Sequence, residues 1–251
     1  MQYWLGLVVG NSRLHWAFFK GNILQEAWNT SHISQEITSS HSLSKILPKQ
    51  YQSIICNNPI TIYLASVVAA QTALWRNYPH LKYITLADIS LANMYSSLGI
   101  DRALNLYGAG ETYGYPCLVV DGGTALTFTG VDRNKVFQGG AILAGLRSHF
   151  TSLHQQTAAL PLINISASLP PRWALDTEQA IFSGIIYTSI AGVYSYIRDW
   201  LAQFPDSSIV FTGGDGELLC SYLQTLYPEI IKPVIVDQNV VFWGIRALFY
   251  G

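Results

Sequence analysis

Charge is what this sequence has least of. Only 12% of its 251 residues are Asp, Glu, Lys or Arg, and 14 basic against 15 acidic side chains leave a formal net charge of -1. So even a balance gives no electrostatic reason to expect nucleic acid or an anionic membrane surface as a partner. Cysteine is scarce as well. Cys56, Cys117 and Cys220 lie far apart, with no C-x-x-C pair and no zinc-ligand spacing, and read as buried thiols in a reducing, cytoplasmic compartment. No run reaches the roughly 18 apolar residues of a membrane span. The opening "MQYWLGLVVGNS" has no basic segment and breaks at Gly10-Asn11, which is not the anatomy of a secretion signal. A G-x-x-x-x-G-K-[ST] phosphate loop is also missing.

Apolar material is plentiful, at 50% of residues, enough for one large domain or two small ones. "YWLGLVV" and "RLHWAFFKG" predict two strands around Gly10-Asn11-Ser12, with Leu14, Trp16 and Phe18 alternating at period two. The polar stretch 28–49 predicts a strand end, a loop and a short helix ending before Pro48. A strand "ITIYLASVV", a helix "VAAQTALWRNYP", a strand "KYITLAD" and a helix in "GIDRALNLYGAGETYG" follow. Beyond them come the hairpin "CLVVDGGTALTFTG", the strand "KVFQGGAILAGL" and the helix "RSHFTSLHQQTAAL". A long apolar helix from Thr177, kinked at Gly184 or Gly192, is expected next. "SSIVFTGGDG" and "IIKPVIVD" predict strands, each followed by a helix. Strand pairs and helices thus occur twice, over 1–115 and 116–251. This predicts an α/β protein of two similar, tightly packed lobes with mixed sheets.

Three glycine loops stand at strand ends. Aligning the two hairpins on Gly10 and Gly123 puts Val8 opposite Asp121 and Asn11 opposite Thr124. The third loop, Thr212-Gly213-Gly214-Asp215-Gly216, leads from a strand into a helix. Glycines there let backbone N–H groups approach a phosphate, and a helix N-terminus adds positive potential. Facing each other, such loops would clamp a nucleotide between the lobes. Each loop singly is also an ordinary turn, and Asp121-Gly122 is a good hairpin signal in its own right.

Taken in order, "GNSR", "GIDR", "DGGT", "GGAILAG", "DTEQAIFSG" and "TGGDG" resemble the motifs of type III pantothenate kinases. These belong to the actin-like, sugar kinase and Hsp70 superfamily of tandem ribonuclease-H-like domains. The resemblance implies transfer of the γ-phosphoryl group of ATP to the 4'-hydroxyl of pantothenate, opening coenzyme A synthesis. It further implies Mg²⁺, a monovalent cation (potassium or ammonium) and a cytoplasmic homodimer. A kinase of the same superfamily acting on another small alcohol, or a regulatory nucleotide-binding relative, are the alternatives.

By that resemblance Asp101 is the catalytic base; as an acid preceding "RALNL" it is equally a favoured helix N-cap. Gly99, Ile100, Asp101 and Arg102 would form the substrate side, with Tyr95 and Thr177 as further pantothenate contacts. Asp176 or Thr177 would also serve to cap the long helix. Val8, Val9, Gly10, Asn11, Ser12, Arg13, Leu14 and His15 match the first phosphate loop. Val8 stands where the family usually has an aspartate that holds Mg²⁺ or its water shell. Thr124, Gly213 and Gly214 match ATP contacts, and Asp121 matches the carboxylate that binds the monovalent cation. Gly139, Gly140 and Gly145 lie in a matched segment in which Ala144 replaces a usual proline. His15, His149 and His154 invite a metal reading, but His149 and His154 are five apart, off the spacing of one helix face, and core or surface histidines are the better reading.

Overall fold

A computed structural model describes residues 2–230 and 234–250. The first half contains β1 (Tyr3–Val9), β2 (Leu14–Lys20), β3 (Ile23–Thr30), α1 (Ser40–Ser44), α2 (Lys49–Asn57), β4 (Thr61–Ser66), α3 (Ala69–Ala73) and β5 (Leu81–Tyr83). After a one-turn 3-10 helix come α4 (Ile100–Tyr113), β6 (Cys117–Gly122), β7 (Ala125–Val131), β8 (Phe137–Ala144) and α5 (Leu146–Gln156). The chain continues through α6 (Thr177–Gln203), β9 (Ser208–Thr212), α7 (Gly216–Leu226), β10 (Val234–Val236) and α8 (Val240–Tyr250).

The strands form two five-stranded sheets, β3-β2-β1-β4-β5 and β8-β7-β6-β9-β10. In each, a meander of three antiparallel strands is extended by two parallel ones: β1–β2 and β2–β3 are antiparallel, β1–β4 and β4–β5 parallel. The second sheet repeats that pattern with β6–β7, β7–β8, β6–β9 and β9–β10. The duplicated α/β pattern read from the sequence is therefore a duplicated topology.

Two compact units carry the sheets. One comprises residues up to Ser90, Met94–Gly108 and the C-terminal helix from Val241; the other comprises Leu91–Asn93 and Ala109–Val240. In the first unit, period-two alternation along β1 sends Leu5, Leu7 and Val9 into a core with Leu14, Trp16 and Phe18 of β2 and Ile62 and Leu64 of β4. Trp4, Gly6 and Val8 take the opposite face, which α8 covers. There Tyr250 stacks on Trp4 with centroids 5.1 Å apart, Phe249 stacks on Tyr63 at 4.1 Å, and Phe242 packs over Gly6. Of these α8 side chains Phe242 is fully buried, which contributes roughly 1.5–3 kcal/mol.

In the second unit α6 supplies the core. Its residues Phe182, Ile186, Ile190, Val193, Ile197 and Trp200 recur every three or four positions and pack with Val120, Phe128, Ile209 and Phe211 of the sheet. By length and composition alone α6 is apolar enough to cross a bilayer. That buried stripe identifies it as the core helix of its unit.

Several local readings are corrected. The polar segment after Lys20 is a third strand, β3, whose outer face is half exposed because it forms the sheet edge. The helix expected over "VAAQTALWRNYP" is confined to the five residues of α3, and α5 stops at Gln156. α6 runs unbroken through Gly184 and Gly192. Of the strand expected over "IIKPVIVD", Val234–Val236 is observed, while 231–233 lie outside the described residues.

Candidate active site

In the first unit the chain reverses between β1 and β2 through Gly10, Asn11, Ser12 and Arg13. The turn is closed by a bond from Gly10 N–H to the Arg13 carbonyl at 3.0 Å, and the Gly10 carbonyl lies 2.9 Å from His32 Nε2. Asn11, Ser12 and Arg13 form an exposed tip. Val9 and Leu14 are paired across the strands and belong to the core, so their side chains brace the turn. Val8 is 4% exposed. Its cross-strand partner is His15, and the next residue in that row is Asn29 of β3. His15 Nδ1 and Asn29 Oδ1 are 2.7 Å apart.

The same unit holds the acid. α4 begins at Ile100, which makes Asp101 its second residue and overturns the reading of Asp101 as N-cap. A carboxylate in the first turn is favoured by the helix dipole, and Oδ1 accepts the Arg102 backbone N–H at 2.8 Å. Arg102 is buried at 7% exposure, and its Nη1 donates to the Tyr95 hydroxyl at 3.0 Å. Tyr95, Arg102 and Asp101 are thus brought into one cluster. The Asp101 charge also acts on the His15 imidazole. That ring titrates below the usual histidine range because burial disfavours its charged form and Arg13 repels it. The Asn29 contact and Asp101 only partly oppose this. His15 is neutral at pH 7.

In the second unit three loops converge. Gly123 and Thr124 at the β6–β7 turn dock on the start of α5. The Thr124 carbonyl accepts both the Gly145 N–H at 3.0 Å and the Ser148 hydroxyl at 2.7 Å. A methyl group at Gly145 would overlap the Gly123 carbonyl, so Gly145 is required by backbone proximity. The third loop, Gly213–Gly216, is pinned by the Asp215 N–H to the Gly122 carbonyl at 2.8 Å. Gly213 has φ of +80° and Gly214 faces open space.

Asp121 sits in a cross-strand row with Thr127 on one side and Thr212 on the other. A carboxylate flanked by two hydroxyls is a set of hard oxygen donors, chemistry suited to a potassium-like cation. The two threonines were not legible as partners, because only the register brings them to Asp121. Asp215, at 4% exposure, forms an ion pair at 3.1 Å with Arg147 of α5, whose side chain is largely exposed. This pair, 68 residues apart in sequence, carried no signal in either motif.

Thr177 is the exposed first residue of α6. Asp176 performs the capping, its Oδ1 accepting the Gln179 N–H at 2.9 Å. A cavity of about 480 Å³ opens beside this helix start, lined among others by Leu162, Asn164, Pro170, Glu178 and Phe182. Among the described residues no group of three or more His, Cys, Asp or Glu side chains is placed to hold a metal ion. With Val8 apolar, the first hairpin does not fit a direct divalent-metal site.

The family model for type III pantothenate kinase matches residues 4–199. A protein from Nostoc sp. strain PCC 7120 named type III pantothenate kinase is 44% identical over 261 residues, covering 99% of this chain and 95% of that protein. Among solved structures, a conserved putative Baf family transcriptional activator from Campylobacter jejuni aligns with a TM-score of 0.64 at 20% identity, over 97% of this chain and 96% of that one. A putative 2-dehydro-3-deoxygalactonokinase from Sinorhizobium meliloti aligns at 0.58 and 15% identity, over 98% and 95%. The two structures speak to fold; the sequence match speaks to family. By that match and by the motifs laid out above, the chain belongs to the type III pantothenate kinase family.

Proposed function

We propose that this chain transfers the γ-phosphoryl group of ATP to the 4'-hydroxyl of pantothenate. The observation that carries the reading is Asp101, held at the start of α4 next to the Arg102–Tyr95 pair, in a chain matched to the family over nearly its whole length. Phosphoryl transfer asks little covalent chemistry of a protein; it asks for alignment, charge stabilisation and a base within reach of the attacking oxygen. Asp101 takes the hydroxyl proton as the oxygen bonds to the γ-phosphorus. The bond from that phosphorus to the β–γ bridging oxygen breaks, and ADP leaves. Arg102, fixed by Tyr95, orients the substrate, and Thr177 is a second substrate contact. Gly10, Asn11, Ser12, Arg13, Thr124, Gly213 and Gly214 are assigned to the nucleotide. A divalent cation bound to ATP would neutralise phosphate charge.

Asp121, Thr127 and Thr212 are assigned to the monovalent cation. Asp121→Asn removes the charged ligand, and an interaction of about 1.4 kcal/mol corresponds to a factor of ten. The potassium concentration giving half-maximal rate therefore rises about tenfold, measured by titrating potassium into a choline-balanced assay; an unchanged midpoint would remove Asp121 from the cation site.

A homodimer in the cytoplasm completes the reading. Ile142 and Leu143 of β8, together with Trp173 and Leu175, are large apolar side chains left exposed on the single chain. Sedimentation equilibrium is expected to give twice the chain mass of 27.8 kDa; a monomer at micromolar concentration argues against it.

The deciding assay supplies ATP, Mg²⁺, potassium and pantothenate, and follows 4'-phosphopantothenate by mass spectrometry. Turnover of another alcohol but not pantothenate would reassign the substrate. Nucleotide binding with no turnover of any alcohol would overturn the enzymatic reading.

A further inference from the structure

The β1–β2 hairpin carries no carboxylate, yet it carries a half-buried imidazole with a defined orientation. Val8, His15 and Asn29 are directly opposite one another on β1, β2 and β3, so their side chains share one face of the sheet. The Asp101 carboxylate also acts on the ring. Asn29 Oδ1 accepts the Nδ1–H of His15 at 2.7 Å, and a neutral imidazole that donates from Nδ1 presents Nε2 as an acceptor. Nε2 lies against Gly10, where even a β-carbon would come within 3.3 Å of it. Lack of a side chain at Gly10 spares the nitrogen that close contact at the foot of the turn. An imidazole oriented through its other nitrogen by an oxygen acceptor is the arrangement by which proteins present histidine to metal ions and their bound water.

We propose that His15 Nε2 accepts a hydrogen bond from the water shell of the divalent cation that arrives on the nucleotide phosphates, the hairpin's substitute for a carboxylate at position 8. The inference rests on the assignment of this hairpin to ATP. It makes His15 a positioning residue for the metal–nucleotide complex, indifferent to the nucleotide without metal. Arg13 and Asp101 are the charged groups acting on the ring, and the neutral imidazole tolerates both.

The test is calorimetry with a non-hydrolysable ATP analogue, once with Mg²⁺ and once with EDTA. His15→Ala is expected to weaken the Mg²⁺ complex about tenfold, the lower end of the effect of losing an outer-sphere partner, and to leave affinity in EDTA unchanged. His15→Gln keeps an oxygen acceptor and is expected to retain most of the metal-dependent gain. Val8→Asp in the His15→Ala background is expected to restore it. If His15→Ala does not fold, Mn²⁺ with the analogue should broaden one histidine Nε2 resonance of the unaltered protein beyond detection, and the analogue alone should not. Equal metal-dependent gains in all proteins, an equal fall in EDTA, or no Mn²⁺ broadening would overturn the proposal. If the unaltered protein binds the analogue under neither condition, the ATP assignment falls and this inference with it.

Discussion

Asp101→Asn is expected to slow phosphopantothenate formation by about 10²- to 10⁴-fold, the usual contribution of a positioned general base. Protein stability and ATP affinity should hardly change. Asparagine is isosteric with aspartate, and its Oδ1 still accepts the Arg102 N–H that Asp101 accepts at 2.8 Å. What is lost locally is a first-turn charge favoured by the helix dipole, worth about 0.3–1 kcal/mol. The Arg102–Tyr95 bond is made by neither carboxylate oxygen and survives. Single-turnover kinetics would locate the loss in the chemical step, while calorimetry and thermal denaturation check binding and fold. A variant that keeps more than a tenth of the rate would remove Asp101 from the role of base.

Gly213→Ala should be a strongly damaging single-methyl substitution in the second unit's loops. The backbone at Gly213 has φ of +80°, a conformation that side chains rarely adopt. An added β-carbon would overlap the Asp121 carboxylate and come 2.6 Å from the Gly122 carbonyl. The carboxylate can shift; the carbonyl cannot, because it accepts the Asp215 N–H at 2.8 Å. Backbone strain of this kind costs about 1–3 kcal/mol. At about 2–4 °C per kcal/mol for chains of this size, Tm falls by roughly 2–12 °C. Because the same shift moves Asp121, potassium activation should fall with stability. Gly214→Ala, with open space around it, is the control expected to leave Tm within about 2 °C, since surface changes cost within about 0.5 kcal/mol. Equal Tm values for the two variants would refute the strain argument.

Strands with period-two alternation were legible because their pattern is local: Leu14, Trp16 and Phe18 announce β2, and the Gly-rich ends of β6 and β9 announce their loops. β3 was legible only as a strand end from Trp28, since an edge strand with exposed residues such as Gln25 and Asn29 reads largely as a polar loop. Missing β3 as a full strand also hid the His15–Asn29 contact, which exists only through the β2–β3 register. Tyr95 and Arg102 were each identified, whereas their bond depends on how the segment before α4 folds back. The ion pair of Arg147 with Asp215 and the row of Thr127, Asp121 and Thr212 are products of tertiary assembly. No spacing along the chain encodes them in a readable way.

The closure of the first sheet by α8 has a bearing on biosynthesis. A ribosome delivers β1 and β4 early and the helix that shields them last among the described elements, so the aromatic face of Trp4 and Tyr63 stays uncapped while everything between is made. The earliest-synthesised unit is thereby the last to be completed, and the nascent chain passes through a long interval in which that face is open to chaperones or to misassembly with another copy.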